Sequence, residues 1–557
     1  MNVEWNTDKP CNVAGALAAQ AAAQPERAAL HYPVGMHGGA PDYRSCSYRE
    51  LDALSDQYAR GLLAYGIERG TRVALMVPPG LEFFALFFAL FKAGAVPVLI
   101  DPGIGLANLR QCLAEAAPEA FIGVPRAQMA RVALRWAPHS ISRLVTVGRL
   151  RFGAGIDTAS LRALGTRESG SVLAATRPGE LAAILFTSGS TGVPKGVVYR
   201  HRHFTAQVAM LREAFDIRPG EIDLPTFPPF ALFDPALGMT TVVPAMDPRR
   251  PARANPARLI RAIERFQVTN IFGSPALVRV LADHTHRHGL RLPSVRRVIS
   301  AGAAVPIDVI RRLQVALPAG ALVHTPYGAT ECLPVASASS VELDAAIERR
   351  TQTGAGICVG RPVAPNRVGI LPISEHAVPL LDESELLPAN AAGEVIVHGP
   401  TTTDAYWQRE AQTREAKTCD HQGRVWHRMG DIGYFDDAGR LWYCGRKSQR
   451  VELDGTTLFP DQVEAVFNTH PDIRRTALVG VGSGAERRAV LCAETEGRVG
   501  RGRRQEIRAE LLRMAADDPR LADIRTVLFH RRFPVDIRHN AKIGRERLAA
   551  WAAGRMA

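Results

Sequence analysis

The chain has no Cys-x-x-C pair. Its eight cysteines, Cys11, Cys46, Cys112, Cys332, Cys358, Cys419, Cys444 and Cys492, are scattered over 557 residues. Neither a zinc site nor a disulfide framework is indicated, and a reducing compartment is expected. No uninterrupted apolar run is long enough to span a bilayer. The most apolar stretch, Leu81 to Ile100, is broken by Glu82, Lys92, Gly94 and Pro97, which predicts a buried helix followed by a strand rather than a membrane span. Bordering an acyl tunnel and peripheral membrane contact are the other roles open to its phenylalanines. No long Lys/Arg run accompanies the net charge of +13. Arg249-Arg250 and the cluster Arg501 to Arg504 read as solvated faces, so no nucleic-acid partner is expected. Glu4, Asp8 and Lys9 precede an alanine-rich stretch where a secretory signal has a basic and then an apolar segment, and a cytoplasmic location is expected. Lysine is scarce: of 68 basic residues only Lys9, Lys92, Lys195, Lys417, Lys447 and Lys542 are lysines. A lysine that persists in such a chain suggests chemistry that needs a compact ammonium on a flexible stem, and Lys195 and Lys542 have motif-like surroundings.

At this length the chain divides into several domains. Helices are predicted over 13–24, 48–65 and 81–93, with strands over 73–77 and 96–100, and the alternation continues to about residue 330. This predicts parallel α/β layers. After residue 355 short β-rich pieces appear at Arg367 to Leu371, Gly393 to His398 and Arg440 to Tyr443. Past Lys447 come a helix over 463–467, strands over 475–481 and 490–494, and a charged helix over 504–515. The predicted class is α/β: a large N-terminal domain, residues 1–446, of two layered α/β subdomains plus a β-subdomain at about 355–446, then a small α+β C-terminal domain, 447–557.

The most informative stretch is Leu185-Phe186-Thr187-Ser188-Gly189-Ser190-Thr191-Gly192-Val193-Pro194-Lys195-Gly196. The apolar run Leu181 to Phe186 reads as a buried strand. The loop after it offers N–H groups and hydroxyls that can wrap an anion, and Lys195 adds a point charge for phosphate. It is not a P-loop, because Pro194 precedes the lysine and Gly196 follows it, which opposes a helix start there.

Six further elements follow in order: Gly302-Ala303-Ala304-Val305-Pro306, Tyr327-Gly328-Ala329-Thr330-Glu331, Gly393-Glu394, Met429-Gly430-Asp431, Tyr443-x-Gly445-Arg446 and Asn540-Ala541-Lys542. Together with the loop they resemble the acyl-adenylate-forming superfamily over almost the whole length. The resemblance implies ATP and Mg²⁺ as cofactors. It makes Thr187, Ser188, Gly189, Ser190, Thr191, Gly192 and Lys195 a phosphate clamp. Gly302, Ala303, Ala304 and Tyr327 then line the adenine pocket. By residue type, Thr330 can donate to a phosphate oxygen, Glu331 suits Mg²⁺, Asp431 can accept both ribose hydroxyls, and Arg446 can reach ribose or phosphate. Lys542, on a mobile tail domain, can stabilise charge that builds between the α-phosphate and the attacking carboxylate.

Two departures narrow the choice. Many members carry Pro-x-x-His where this chain reads Phe227-Pro228-Pro229-Phe230-Ala231-Leu232-Phe233-Asp234-Pro235, without a histidine, and Ser448 stands at the hinge where Asp or Lys is usual. That aromatic stretch and the segment Asp536 to Ile543 resemble the β-lactone synthetases of bacterial long-chain olefin biosynthesis. The resemblance implies a 2-alkyl-3-hydroxy fatty acid that is adenylated and then closed by its own 3-hydroxyl, and it leaves room for assembly with other olefin-pathway enzymes. A long-chain fatty acyl-CoA synthetase and a non-catalytic paralogue are the competing readings. His201, His203 and His324 lie near motifs as candidate bases for ring closure, none singled out.

Overall fold

The computed structural model describes residues 10–148, 151–167, 169–187, 193–226, 228–535 and 542–556. Among them, seven strands form the first sheet, in the order Ile156–Asp157, Arg143–Thr146, Ala120–Gly123, Arg72–Met76, Val96–Leu99, Leu181–Phe186, Gly196–Arg200. All neighbours are parallel except the last pair, which is antiparallel. The parallel strands are buried on both faces and therefore read as short apolar runs rather than alternations.

The phenylalanine-rich segment forms the helix Leu81–Ala93, which ends on Gly94 in the left-handed region at φ 73°. A Cβ there would also meet the side chains of Arg69 and Ala174 at 2.9 and 3.1 Å, so chain reversal and close packing both require glycine. Every residue from Phe83 to Ala93 is buried. Lys92 is only 1% exposed, and its Nζ lies 2.6 Å from Asp52 Oδ1 and 2.7 Å from Asp56 Oδ1. Both carboxylates belong to the helix Tyr48–Ala64, whose start carries a Ser47/Glu50 capping box. Two carboxylates around one ammonium make its burial tolerable. Among the described residues no helix is long and apolar enough to cross a membrane.

The second sheet has fifteen strands among the described residues. Its parallel centre runs through Ala28–His37, Thr240–Val242, Ile222–Pro225, Asn270–Gly273, Arg297–Ser300 and Leu322–Ala329. A hairpin leads from there to Cys332–Ser339, which pairs with Ile357–Pro362 through Ala336↔Pro362 and Ser337↔Arg361. The antiparallel strands Leu441–Arg446, Val425–Phe435 and Gly393–His398 continue beyond it. The β-rich stretch after residue 355 is thus hydrogen-bonded into the second α/β sheet through this short ladder.

Beyond the hairpin Val451–Leu453/Thr456–Leu458, the strands Ile473–Val481, Arg488–Thr495 and Thr526–Phe529 form a separate sheet. The helix Arg501–Asp517 packs on it through Ile507 and Leu511, over a core with Phe467, Leu478 and Leu491. The molecule is a mixed α/β protein with a large N-terminal and a small C-terminal domain.

One buried pair makes the stability of the fold depend on pH. Asp223, on the strand Ile222–Pro225, accepts from Asn270 Nδ2 at 2.6 Å, and Asp234 accepts from Thr241 Oγ1 at 2.9 Å. Asp223 Oδ2 and Asp234 Oδ1 are buried without a donor among the described residues; a proton held between the two carboxyls satisfies both. Burial raises the pKa of each, and the Asp223 charge raises Asp234 further. The folded protein therefore keeps this proton above the pH at which an unfolded chain releases it, about 4. The pair's contribution is complete below that pH and is lost as pH rises through the raised titration. Asp234→Asn is expected to gain about 1–3 kcal/mol relative to the native chain between pH 5 and pH 8, read as unfolding midpoints at the two pH values. Equal midpoint shifts at both would refute the shared proton.

Candidate active site

A cavity of about 2800 Å³ opens between the two large sheets and the C-terminal domain. Thr187 and Lys195 line one part of it. The loop between them joins two antiparallel strands, Phe186 pairing with Gly196, so it is a hairpin connection and not a strand-to-helix turn. Its base is closed by Thr187 N donating to Lys195 O at 3.0 Å and Lys195 N donating to Thr187 Oγ1 at 3.2 Å. Ser188, Gly189, Ser190, Thr191 and Gly192 lie outside the described residues, as do Phe227 and the segment 536–541.

Gly302, Ala303 and Ala304 border the cavity where the strand Arg297–Ser300 ends. Thr330 and Glu331 form the turn of the hairpin in which Ala329 pairs with Cys332, and both line the cavity. Tyr199 Oη donates to Thr330 O at 2.6 Å, and Thr403 donates to Glu331 O through N and Oγ1 at 2.9 and 3.0 Å. The turn is therefore held from both sides.

Asp431 and Arg446 face each other across neighbouring strands. Arg446 Nη1 lies 3.0 Å from Asp431 Oδ1, and Tyr327 Oη donates to Asp431 Oδ2 at 2.6 Å. Burial raises the Asp431 pKa, against the pull of Arg446, Tyr327 and Lys542; the Arg446 guanidinium is raised mainly by Asp431. Lys542 lines the same cavity and so belongs to this charge cluster. Asp431 Oδ1 is buried and accepts no hydrogen bond among the described residues, because the guanidinium contact is an ion pair of poor hydrogen-bond geometry. A buried carboxylate oxygen that lines a cavity and lacks a donor fits a ligand hydroxyl. Tyr327, expected as an adenine-stacking face, also fastens this carboxylate.

Sequence reasoning missed three neighbours. Tyr406 Oη donates to Glu331 Oε1 at 2.6 Å. Lys195 Nζ stands 4.8 Å from the Tyr406 ring centroid and Lys417 Nζ 5.9 Å. Lys417 is buried, donates to Thr403 Oγ1 at 3.2 Å, and is lowered to about 8 by burial. His427 also lines the cavity, and burial, then Lys417, lowers it well below the usual imidazole range. The scarcity of lysine was a signal for Lys417 that went unused; Tyr406 and His427 carried none. The other end of the cavity is aromatic, with Phe83, Phe87, Phe88, Phe204, Phe230 and Phe233. The histidine-free stretch and the Leu81–Ala93 helix thus supply one wall. His201, His203 and His324 do not line the cavity. Burial lowers them to about 4, about 3 and about 4, which suits neutral core imidazoles.

The sequence matches the AMP-binding enzyme family over residues 17–407. It is 54% identical over 549 residues to an olefin β-lactone synthetase of Xanthomonas campestris pv. campestris, covering 98% of each chain. It is 52% identical over 556 residues to an olefin β-lactone synthetase of Stenotrophomonas maltophilia, covering 99% of each. Among solved structures it is similar to the amide bond synthetase McbA from Marinactinospora thermotolerans, with a TM-score of 0.77 at 23% identity over 97% of this chain and 99% of that one. The anthranilate CoA ligase AuaEII in complex with anthranoyl-AMP gives 0.77 at 18% identity, covering 98% of each.

Proposed function

The chain belongs to the AMP-binding enzyme family, and from that premise we propose that it is an ATP-dependent acid ligase that closes a 2-alkyl-3-hydroxy fatty acid to a β-lactone. The identity above 50% to two olefin β-lactone synthetases along the whole chain carries this reading. The cavity supports it, since one end is a phenylalanine-lined chamber suited to alkyl chains and the other a cluster of charge.

The acid's carboxylate attacks the α-phosphorus of ATP. An O–P bond forms, the bond to the β-phosphate breaks, and pyrophosphate departs. Lys542 stabilises the charge shared by carboxylate and α-phosphate. Lys195 and the loop from Thr187 hold the pyrophosphate side, Thr330 donates to phosphate, and Asp431, positioned by Tyr327 and Arg446, accepts the ribose hydroxyls. Gly302 to Ala304 and the Tyr327 ring border the adenine. Glu331, with Oε1 engaged by Tyr406, would hold Mg²⁺ through its other oxygen, and the bound ion would offset phosphate charge. In the second step the 3-hydroxyl oxygen attacks the acyl carbon. The ring C–O bond forms, the acyl–phosphate bond breaks, and the hydroxyl proton passes to a phosphate oxygen of departing AMP. The nucleophile is tethered, so effective concentration replaces a thiol. Residues 447–557 act as the moving domain, with the hinge beside Ser448.

Purified protein given ATP, Mg²⁺ and a 2-alkyl-3-hydroxy acid, without CoA, is expected to release AMP and lactone in equal amounts. Product only after CoA is added would favour an acyl-CoA synthetase, and no pyrophosphate exchange would mean a non-catalytic paralogue.

A further inference from the structure

Where the aromatic chamber meets Thr330, the cavity wall holds a polar residue that no step above uses. Gln207, on the helix His201–Ala214, lines the cavity and is 3% exposed. Its Nε2 donates to Tyr199 Oη at 3.3 Å and to Leu333 O at 3.4 Å. The Tyr199 hydroxyl places its own proton on Thr330 O, so it presents a lone pair to Gln207. Both neighbours on that side are acceptors. The amide nitrogen must therefore face them, which fixes the orientation of the amide. Gln207 Oε1 is then turned away, buried, and without a partner among the described residues.

Buried amide carbonyls are normally satisfied, and one in a cavity wall is set to receive a donor from whatever fills the cavity. The reacting carboxyl lies by Thr330 and Lys542, and the alkyl chains lie among the phenylalanines. Tyr199 and Gln207 stand between them, one hydrogen bond and two from Thr330. On the reading of the preceding subsection, the substrate carries one donor at this distance from its carboxyl, the 3-hydroxyl. We propose that Gln207 Oε1 accepts the hydrogen bond of the substrate's 3-hydroxyl and turns that oxygen's lone pair toward the acyl carbon. Gln207 is a positioning residue: an amide takes no proton, and the hydroxyl proton leaves to AMP as before. The same contact selects 3-hydroxy acids at the adenylation step, because a site built around one hydrogen bond discriminates against analogues that cannot make it.

The test uses pyrophosphate exchange with a 2-alkyl-3-hydroxy acid and its 3-fluoro analogue, which has nearly the same shape and no donor. The native protein is expected to show a KM roughly 10-fold or more higher for the fluoro acid, with kcat within about 3-fold. In Gln207→Met, similar in volume and without polar atoms, that preference is expected to vanish, and with the hydroxy acid more of the acyl-AMP should end as hydrolysed acid than as lactone. Equal KM values in the native protein would overturn the assignment without relying on any variant, as would an unchanged preference and product ratio in folded Gln207→Met. A native protein that prefers the hydroxy acid yet forms no lactone would overturn the lactone reading and leave Gln207 as the hydroxyl acceptor.

Discussion

Lys542→Ala is expected to lower the rate of adenylate formation by roughly 10²–10³-fold while changing ATP affinity less than about 3-fold. On the proposed mechanism Arg446, Lys195 and Asp431, which line the same cavity, remain to hold nucleotide. What the variant loses, in that mechanism, is a cation placed where negative charge accumulates only as the carboxylate approaches phosphorus. Such a group lowers the barrier more than it tightens the ground state. Lys542 already acts on this cluster, because its charge helps to hold down the Asp431 carboxyl against burial. Pyrophosphate exchange measures the rate and equilibrium titration with ATP measures the affinity. Equal loss in both would show that Lys542 binds nucleotide and does not act on the transition state.

Arg428→Met is expected to destabilise the N-terminal domain by about 3–5 kcal/mol. Arg428 and Glu394 are 3% and 2% exposed. The guanidinium gives Glu394 Oε2 two hydrogen bonds, from Nε at 3.1 Å and Nη2 at 2.5 Å. It also donates to the carbonyls of His376, Ser374 and Glu415. Its removal leaves a buried carboxylate whose remaining partner among the described residues is Lys447 Nζ at 3.1 Å. It also takes a donor from Glu415 O, while Ser374 O keeps Lys447 Nζ at 2.9 Å and His376 O keeps Ser374 Oγ at 3.4 Å. Replacing Glu394 as well, as Arg428→Met/Glu394→Met, removes the stranded charge and is expected to recover part of the loss. Urea unfolding of both variants checks this; a loss below about 1 kcal/mol in the single variant would mean that water reaches the carboxylate. Glu394 is held from one side by the β-strands and from the other by Lys447, beside the proposed hinge, so the same variant should loosen the C-terminal domain.

What the sequence disclosed was what is local. The helix Leu81–Ala93 begins and ends where its pattern and Gly94 predict, and the Thr330–Glu331 turn is a hairpin whose polar residues follow one another. The Thr187–Lys195 loop could be refused as a P-loop because Pro194 precedes the lysine and Gly196 follows it, and the antiparallel strand that begins at Gly196 bears out the absence of a helix start there. Contacts between distant residues were not legible. Tyr406 meets Glu331 across 75 positions, and nothing in either neighbourhood announces the pairing. Gln207 looks like any helical glutamine until Tyr199 and Leu333 fix its nitrogen. The link that joins the β-rich region to the second sheet rests on two residue pairs, too short to leave a pattern. The scarce lysines misled in part. Lys92 sits under two aspartates and Lys417 under Tyr406, so scarcity marked demanding environments and not chemistry alone.

That distribution of lysine also bears on how the protein fares with its own products. Acyl adenylates and strained lactones are acylating agents, and the amine of lysine is the side chain they most readily modify. A guanidinium stays protonated at any working pH and is a poor nucleophile. Every described lysine is buried or half-buried, and arginine holds nearly all the remaining positive positions. Among the described residues the exterior thus keeps a large positive charge with few amines open to such electrophiles.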